Sequence, residues 1–256
     1  MENAVNFRQK INDGGCCLGS GVTFFDSTVA ELLSQAGMDF VWIDMEHNAL
    51  TVEAVQNHII ATRASDAAAI VRVGAGDPTQ IKVVLDSGAD GVVVPMVRTA
   101  EEVRRVVADC RYPPEGRRGF GPRRPSRYGR LGGPEFCRLA NESVLVIIQI
   151  ELIDAVDNLD AILKTPGLDS VVVGPNDLAG SMGFVGQPDH PEVVKVVESI
   201  IQKSRAANVM AGLAATVSDP QRWAALGVQW FILGTDWIFL VQAVDQALND
   251  TQTSLQ

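Results

Sequence analysis

The side chains best suited to chemistry in this sequence share one placement: each follows, or closes, a short apolar run. Asp44, Glu46 and His47 come at the end of FVWID and just beyond it, in VWIDMEHNAL. Arg72 interrupts AAIVRV, Gln149 and Glu151 close VLVIIQIE, and Asp177 stands just after the Gly-Pro turn of SVVVGPND. Glu151 and Asp177 make the plainest pair. On neighbouring parallel strands, about 5 Å apart, two carboxylates can share one hard cation. Oxygen donors without thiolate or clustered imidazole suit Mg²⁺ or Mn²⁺. Taken singly, Glu151 also reads as a helix-start carboxylate and Asp177 as an N-cap; taken together they read as metal ligands.

Arg72 suits a carboxylate, or an oxyanion that develops during reaction. The competing account of a guanidinium in an apolar strand is an internal salt bridge to Asp44 or Glu46, and the two are compatible. His47 is one of three histidines and the one that stands beside these acids; its titration range fits proton transfer near neutral pH. His58 falls in mid-helix and His190 at a helix start in QPDHPEV, so both read as structural. Lys10, Lys82, Lys164, Lys195 and Lys203 lie in the N-terminal arm or in helical segments. None closes a strand, where a Schiff-base aldolase needs its lysine, so a metal is the expected electrophile.

The elements that must position these groups follow from the hydrophobic pattern. Apolar, β-branched runs recur at 16–20, 40–44, 68–73, 91–95, 144–151, 170–174, 209–213 and 230–234. They are continuous, as strands of a parallel sheet covered on both faces are. Between them, STVAELLSQAG, TVEAVQNHIIATRAS, DPTQIKVVLDSGA, TAEEVRRVVADC and DPQRWAALG space apolar residues three and four apart, the mark of amphipathic helices. Asp26/Ser27, Thr51, Asp77-Pro78 and Asp219-Pro220 open such helices, and Gly37, Gly88 and Gly227 stand where they should stop. The alternation predicts an α/β fold, a (β/α)8 TIM barrel over 1–256 as one domain, with the acting side chains at the carboxyl ends of the strands. An open doubly wound sheet is the competitor, but no G-x-G-x-x-G follows the first strand.

Composition narrows the function classes. A formal charge of −10 disfavours a broad grip on nucleic acid or an anionic membrane. MENAVNFRQK lacks the apolar core of a signal peptide, and no apolar run reaches the eighteen or so residues of a spanning helix, so a soluble, cytoplasmic protein is expected. Cys16, Cys17, Cys110 and Cys137 form no C-x-x-C pattern and read as reduced structural thiols. The segment RYPPEGRRGFGPRRPSRYGRLGGPEF, 111–136, breaks the rhythm between the fourth and fifth strands. A loop this long is expected to cover or shape a site, with a surface excursion or an oligomer contact as the alternative.

Five stretches together resemble the HpcH/HpaI family of metal-dependent (class II) pyruvate aldolases: AGMDFVWIDMEHNAL, VRVGAGDPTQIKVVLDSGADGVVVPMV, RYPPEGRRGFG, QIELIDAVDNLDAI and VVVGPNDLAGSMGFVGQPDHPEV. The resemblance covers nearly the whole chain. It implies His47 as proton acceptor, Asp86 as the carboxylate that raises its basicity, and Arg72 as stabiliser of an enolate oxygen. It implies Glu151 and Asp177 as ligands of Mg²⁺ or Mn²⁺, with Co²⁺ as a substitute, Gln149 beside the substrate, and the backbone at Asn176 and Asp177 as the anchor of a pyruvate carboxylate. Asp44 and Glu46 would orient water and the histidine loop from behind. It also implies a homohexamer, a trimer of dimers that exchanges the last helix, here TDWIFLVQAVDQALND. Departures fall at GSGVTFFDST, with Phe24 and Phe25, and at RRPSRYGRLGG, where the choice of aldehyde would be made.

The expected activity is a reversible carbon–carbon lyase that splits a 4-hydroxy-2-oxo acid into pyruvate and an aldehyde through a pyruvate enolate. Oxaloacetate decarboxylation or malyl-thioester cleavage on the same scaffold is the alternative. A non-catalytic barrel that binds a small acid is the alternative of another class.

Overall fold

The computed structural model describes residues 2–214 and 219–255. The strands β1 (Cys17–Val22), β2 (Phe40–Asp44), β3 (Ala68–Arg72), β4 (Gly91–Val94), β5 (Leu145–Ile150), β6 (Ser170–Val173), β7 (Met210–Leu213) and β8 (Trp230–Thr235) close into a barrel in chain order. Every neighbouring pair is parallel, β8 onto β1 included. The TIM barrel is the fold expected, and each strand lies within two residues of its apolar run.

Both faces of the strands are buried, which is why their sequences do not alternate. Val41, Ile43, Val71, Val92, Val94, Val146, Ile148 and Val171 face the helices, whereas Phe40, Trp42, Ile70, Val93, Leu145, Ile147 and Val172 fill the barrel. The covering helices are α1 (Glu2–Asn12), α2 (Thr28–Gln35), α3 (Val52–Thr62), α4 (Pro78–Ser87), α5 (Ala100–Cys110), α6 (Gly133–Ser143), α7 (Ile153–Asp157), α8 (Leu159–Ile162), α9 (Pro175–Ser181), α10 (Pro191–Ala206), α11 (Pro220–Leu226) and α12 (Asp236–Ser254). Thr51, Asp77 and Asp219 accept from backbone N–H groups of the first turns of α3, α4 and α11. At α2 it is Asp26, not Ser27, whose carboxylate accepts, from the Thr28 N–H at 2.9 Å.

The N-terminal arm is a helix, and it plugs the amino end of the barrel. Ala4, Phe7 and Ile11 of α1 are buried, and Phe7 meets Phe40 and Trp230 edge-on at 5.7 and 6.2 Å. Trp230 then packs on Trp42 at 6.1 Å. Gly212 makes this possible, because a Cβ there would lie 2.1 Å from the Trp230 ring. Burial pushes the Cys17 and Cys110 thiols up to about 12, so neither offers a thiolate, and all four cysteines are free.

Two segments depart from expectation or extend it. The Arg-rich loop leaves α5 at the end away from the strands' carboxyl termini, and its last four residues are the first turn of α6. It therefore shapes the amino end of the barrel, not the rim cavity of its own chain. Beyond β8, α12 buries only Asp236, whose carboxylate holds the Thr23 and Phe24 backbone amides at 2.7 and 2.8 Å. Trp237, Leu240, Val241, Val244 and Leu248 form one exposed apolar stripe along it, each 48–54% accessible. No helix among the described residues is long and apolar enough to cross a membrane.

Candidate active site

The carboxyl ends of the strands surround a cavity of about 410 Å³ with chemically distinct walls. Asp44, His47, Arg72, Gln149, Asn176 and Asp177 line one side; Gly21, Ala214, Ile232, Gly234, Thr235 and Ile238 line the other, with Trp42 below. The apolar wall comes from the ends of β1, β7 and β8 and the first turn of α12.

Strand register sets the polar wall. Asp44 and Arg72 are the last residues of β2 and β3 and are Cα partners. Asp44 accepts Arg72 Nε and Nη2, one on each oxygen, at 2.8 Å each, and its oxygens also accept the Glu46 backbone N–H at 3.0 Å and Asn48 Nδ2 at 2.7 Å. The other Arg72 nitrogen, Nη1, lies 2.9 Å from Glu46 Oε2 and 3.4 Å from Gln149 Oε1. Burial opposes the charge of Arg72, but the hydrogen bond and charge of Asp44 outweigh it and raise its pKa further. The salt bridge weighed from sequence is present, and Arg72 lines the cavity as well.

Glu46 is close enough to Arg72 for an ion pair, yet its Oε2 has no aligned hydrogen bond. Burial pushes its carboxyl up to about 7, against the pull of Arg72. His47 is 59% exposed, with Nε2 3.8 Å from Glu46 Oε2. His58 is buried, its Nε2 2.9 Å from the Phe24 carbonyl, and His190 caps α10.

Glu151 follows β5 and is 1% exposed. Its Oε1 accepts the Met96 backbone N–H at 2.6 Å, and Gln149 Nε2 donates to Oε2. Gln149 thus links Glu151 to Arg72. Burial raises the Glu151 carboxyl first; the Met96 and Gln149 hydrogen bonds oppose this, and the nearby negative charge of Asp177 adds to it. Asp177 lies in the first turn of α9, exposed to solvent and without a hydrogen-bond or ion-pair partner among the described residues. Gly174 lies against Glu151, and a Cβ there would come within 3.0 Å of Gln149 Nε2 and 3.2 Å of Glu151 Oε2.

A divalent cation fits this donor set. Burial and the negative charge of Asp177 both disfavour the ionised form of Glu151, which a cation would restore, and the missing Cβ of Gly174 keeps the space beside its Oε2 open. Among the described residues no three His, Cys, Asp or Glu side chains cluster as a metal cage. Two carboxylates with open positions are what an ion that keeps water and substrate oxygens requires.

Asp86 is the sequence-derived site residue that the chain does not bring here. Helix α4 starts at the rim and runs away from it, and at 1.5 Å per residue Asp86 lies roughly 12 Å down the helix. There its carboxylate accepts Arg118 Nη2 at 2.7 Å. Residue types alone also passed over Met96, whose role is its backbone: a left-handed φ of 59° turns the N–H onto Glu151. No side-chain pattern signals that, although a non-glycine residue held there is a mark of functional strain.

The closed barrel, with charged and amide side chains gathered at the carboxyl ends of its strands, has the architecture of a (β/α)8-barrel enzyme. Sequence comparison supplies the particular family. Residues 22–243 match the HpcH/HpaI aldolase/citrate lyase family, and the chain belongs to it. It is 39% identical over 248 residues to a 4-hydroxy-2-oxo-heptane-1,7-dioate aldolase of Salmonella typhimurium, covering 96% of this chain and 93% of that protein. An HpcH/HpaI aldolase/citrate lyase family protein from Burkholderia cenocepacia J2315 superposes with a TM-score of 0.91 at 30% identity, over 96% of this chain and 99% of that one. The citrate synthase SbnG superposes with a TM-score of 0.88 at 31% identity, over 96% and 97% of the two chains. The activity class is that of a class II, metal-dependent aldolase, a carbon–carbon lyase.

Proposed function

We propose that the enzyme cleaves a 4-hydroxy-2-oxo acid reversibly to pyruvate and an aldehyde. The observation that carries this reading is the Arg72 guanidinium, fixed by Asp44 on the same cavity wall as Asp177 and linked through Gln149 to Glu151. Mg²⁺ or Mn²⁺, with Co²⁺ as a substitute, is held by Glu151 and Asp177 and supplies Lewis acidity for the 2-oxo group when bound. The amides at Asn176 and Asp177 anchor the substrate carboxylate, and Gln149 lies beside it. Arg72 stabilises negative charge on the enolate oxygen.

His47 accepts the C4 hydroxyl proton, directly or through water, as the C3–C4 bond breaks; that electron pair becomes the enolate and the aldehyde leaves. Returned to C3, the proton completes pyruvate. Glu46 and Asp44 orient His47 and Arg72. Asp86 can raise the basicity of His47 only from a second copy of the chain, because its own His47 lies at the other end of α4. The reading includes such an assembly, a homohexamer built as a trimer of dimers, and the exposed stripe of α12 supports exchange of that helix between subunits. Free cysteines support a cytoplasmic setting. The Salmonella relative's name favours an aldehyde bearing a carboxylate.

The decarboxylase, thioester-lyase and non-catalytic alternatives draw no specific support from the site. The test is exchange of the pyruvate methyl protons in D₂O, followed by NMR with each metal, together with aldol addition to a panel of aldehydes. Absence of exchange with every divalent ion would remove the enolate, and exchange without aldol product would remove the aldehyde half.

A further inference from the structure

The join between β8 and β1 departs from the regular ladder, and it carries most of the apolar wall of the rim cavity. Pairing runs in step from Cys17–Trp230 to Gly19–Ile232 and resumes at Gly21–Thr235, so β8 holds one residue more than β1 over this stretch. Such a bulge leaves ladder positions unpaired, and bulges favour barrel rims. Side chains do little to lock the join. Gly21 and Gly234 have none, and they cannot gain one: a Cβ at Gly21 would lie 2.6 Å from Thr235 Cγ2, and one at Gly234 2.9 Å from the Phe239 ring. Yet Gly21, Ile232, Gly234, Thr235 and Ile238 are what this side presents to the cavity.

Beyond the bulge a side chain takes over from the ladder. Asp236 follows β8 directly and is the one residue that α12 buries. Its Oδ2 accepts the Thr23 and Phe24 backbone N–H groups at 2.7 and 2.8 Å. Its Oδ1 accepts the Thr23 hydroxyl at 2.7 Å and the Trp237 N–H at 2.9 Å. The residue is 6% exposed, and no cation pairs with it among the described residues. A buried carboxylate is costly unless hydrogen bonds satisfy it. Here three of the four come from the turn after β1.

His58 grips the same turn from α3. Its Nε2 lies 2.9 Å from the Phe24 carbonyl oxygen, which can only accept, so Nε2 carries the proton. Burial holds the imidazole below its ordinary value, toward the neutral form, and Nδ1 is buried without a partner. The Phe24 N–H is thus fixed by α12 and its carbonyl by α3, while the Phe24 and Phe25 side chains stay partly exposed at the rim.

We propose that Asp236 is a positioning residue for the aldehyde half of the reaction: by closing the join between β8 and β1 it fixes the wall against which the aldehyde lies. His58 is its counterpart on the other side of the turn. The inference rests on the lyase reading above, in which pyruvate occupies the wall of Arg72, Gln149 and Asp177 and leaves the opposite wall to the aldehyde. Misplacing a positioning element by about 1 Å can cost on the order of 10²-fold.

Kinetics of the metal-loaded, full-length protein in the direction of synthesis test this, with succinic semialdehyde and propanal as the aldehyde probes. Pyruvate proton exchange in D₂O, which needs no aldehyde, is measured beside them. For Asp236→Ala the KM for the aldehyde is expected to rise about tenfold or more, while the KM for pyruvate and the exchange rate stay within about twofold. His58→Leu should move the same quantity in the same direction. His58→Gln, which keeps an N–H donor near the Nε2 position, should restore it. Where circular dichroism shows Asp236→Ala to be unfolded, Thr23→Val carries the test: it removes the hydroxyl contact alone and should raise the aldehyde KM about threefold with exchange unchanged. An unaltered aldehyde KM in the folded variant, or equal losses in exchange and addition, would overturn the inference and leave the lyase reading standing. Wild-type protein that exchanges no pyruvate protons, or that exchanges them and adds to neither aldehyde, would overturn that reading and the inference with it.

Discussion

Arg72 and Asp44 end adjacent strands as register partners and share two 2.8 Å hydrogen bonds, so the guanidinium has one orientation at the mouth of the barrel. Lysine offers a point charge without that planar fork. Arg72→Lys is expected to fold and bind metal normally while kcat falls about 10²–10³-fold, the range for losing one donor to a developing oxyanion. Steady-state kinetics on the cleavage reaction decide this; wild-type kcat would take Arg72 out of charge stabilisation.

His47→Ala separates proton transfer from metal binding. Because His47 is 59% exposed and touches neither Glu151 nor Asp177, metal affinity should stay within about twofold. Pyruvate proton exchange should slow by about 10²–10⁴-fold. An unchanged exchange rate would assign the proton to another group.

Gly174→Ala places a methyl against Glu151, 3.2 Å from its Oε2. The residue begins α9 with φ −99°, a conformation open to alanine, so the effect falls on the site and not on the backbone. Metal affinity measured by titration should drop at least tenfold with little change in melting temperature. Full affinity would mean that the ion sits elsewhere.

The stability of the metal-free protein should report Glu46. Its carboxyl is raised from 4.5 to about 7 by burial, so the folded chain binds this proton more tightly than the unfolded chain does. The fold is therefore favoured by the protonated form, and stability is lost as pH rises from about 4.5 through about 7. At 1.36 kcal/mol per unit the loss from this group is at most about 3.4 kcal/mol. Denaturant melts at pH 5 and pH 8 should show a smaller difference for Glu46→Gln than for wild type. Glu151, raised in the same direction, is common to both proteins. Equal slopes would contradict the shift.

On α12, replacing Leu240 and Val244 by arginine breaks the exposed stripe without entering the barrel, since both side chains are about half accessible. Light scattering should then show a smaller assembly than wild type. An unchanged mass would mean that the stripe is not what holds copies together.

Much of the fold was legible because strands buried on both faces have continuous apolar sequences, and helices such as α3, α4 and α11 announce themselves with a side-chain cap. Asp44, Arg72, Gln149 and Glu151 were legible for a related reason: a charged or amide group at the end of such a strand needs a partner or a task. Asp86 was not, because a resemblance transfers a role without saying at which end of a helix the residue lies. Nor was Met96, which acts through a backbone angle. The 111–136 segment announced its importance by composition, but its side of the barrel depends on where α5 ends, and only the three-dimensional course of the chain supplies that.

The aromatic plug at the amino end has a kinetic corollary. Phe7, Phe40, Trp42 and Trp230 seal the barrel beneath the cavity, and Trp42 is also its floor. The reaction chamber therefore has one doorway. If pyruvate binds against Arg72 and Gln149 as proposed, it must arrive before the aldehyde in synthesis and depart after it in cleavage, so traffic through the rim imposes an order on the two partners.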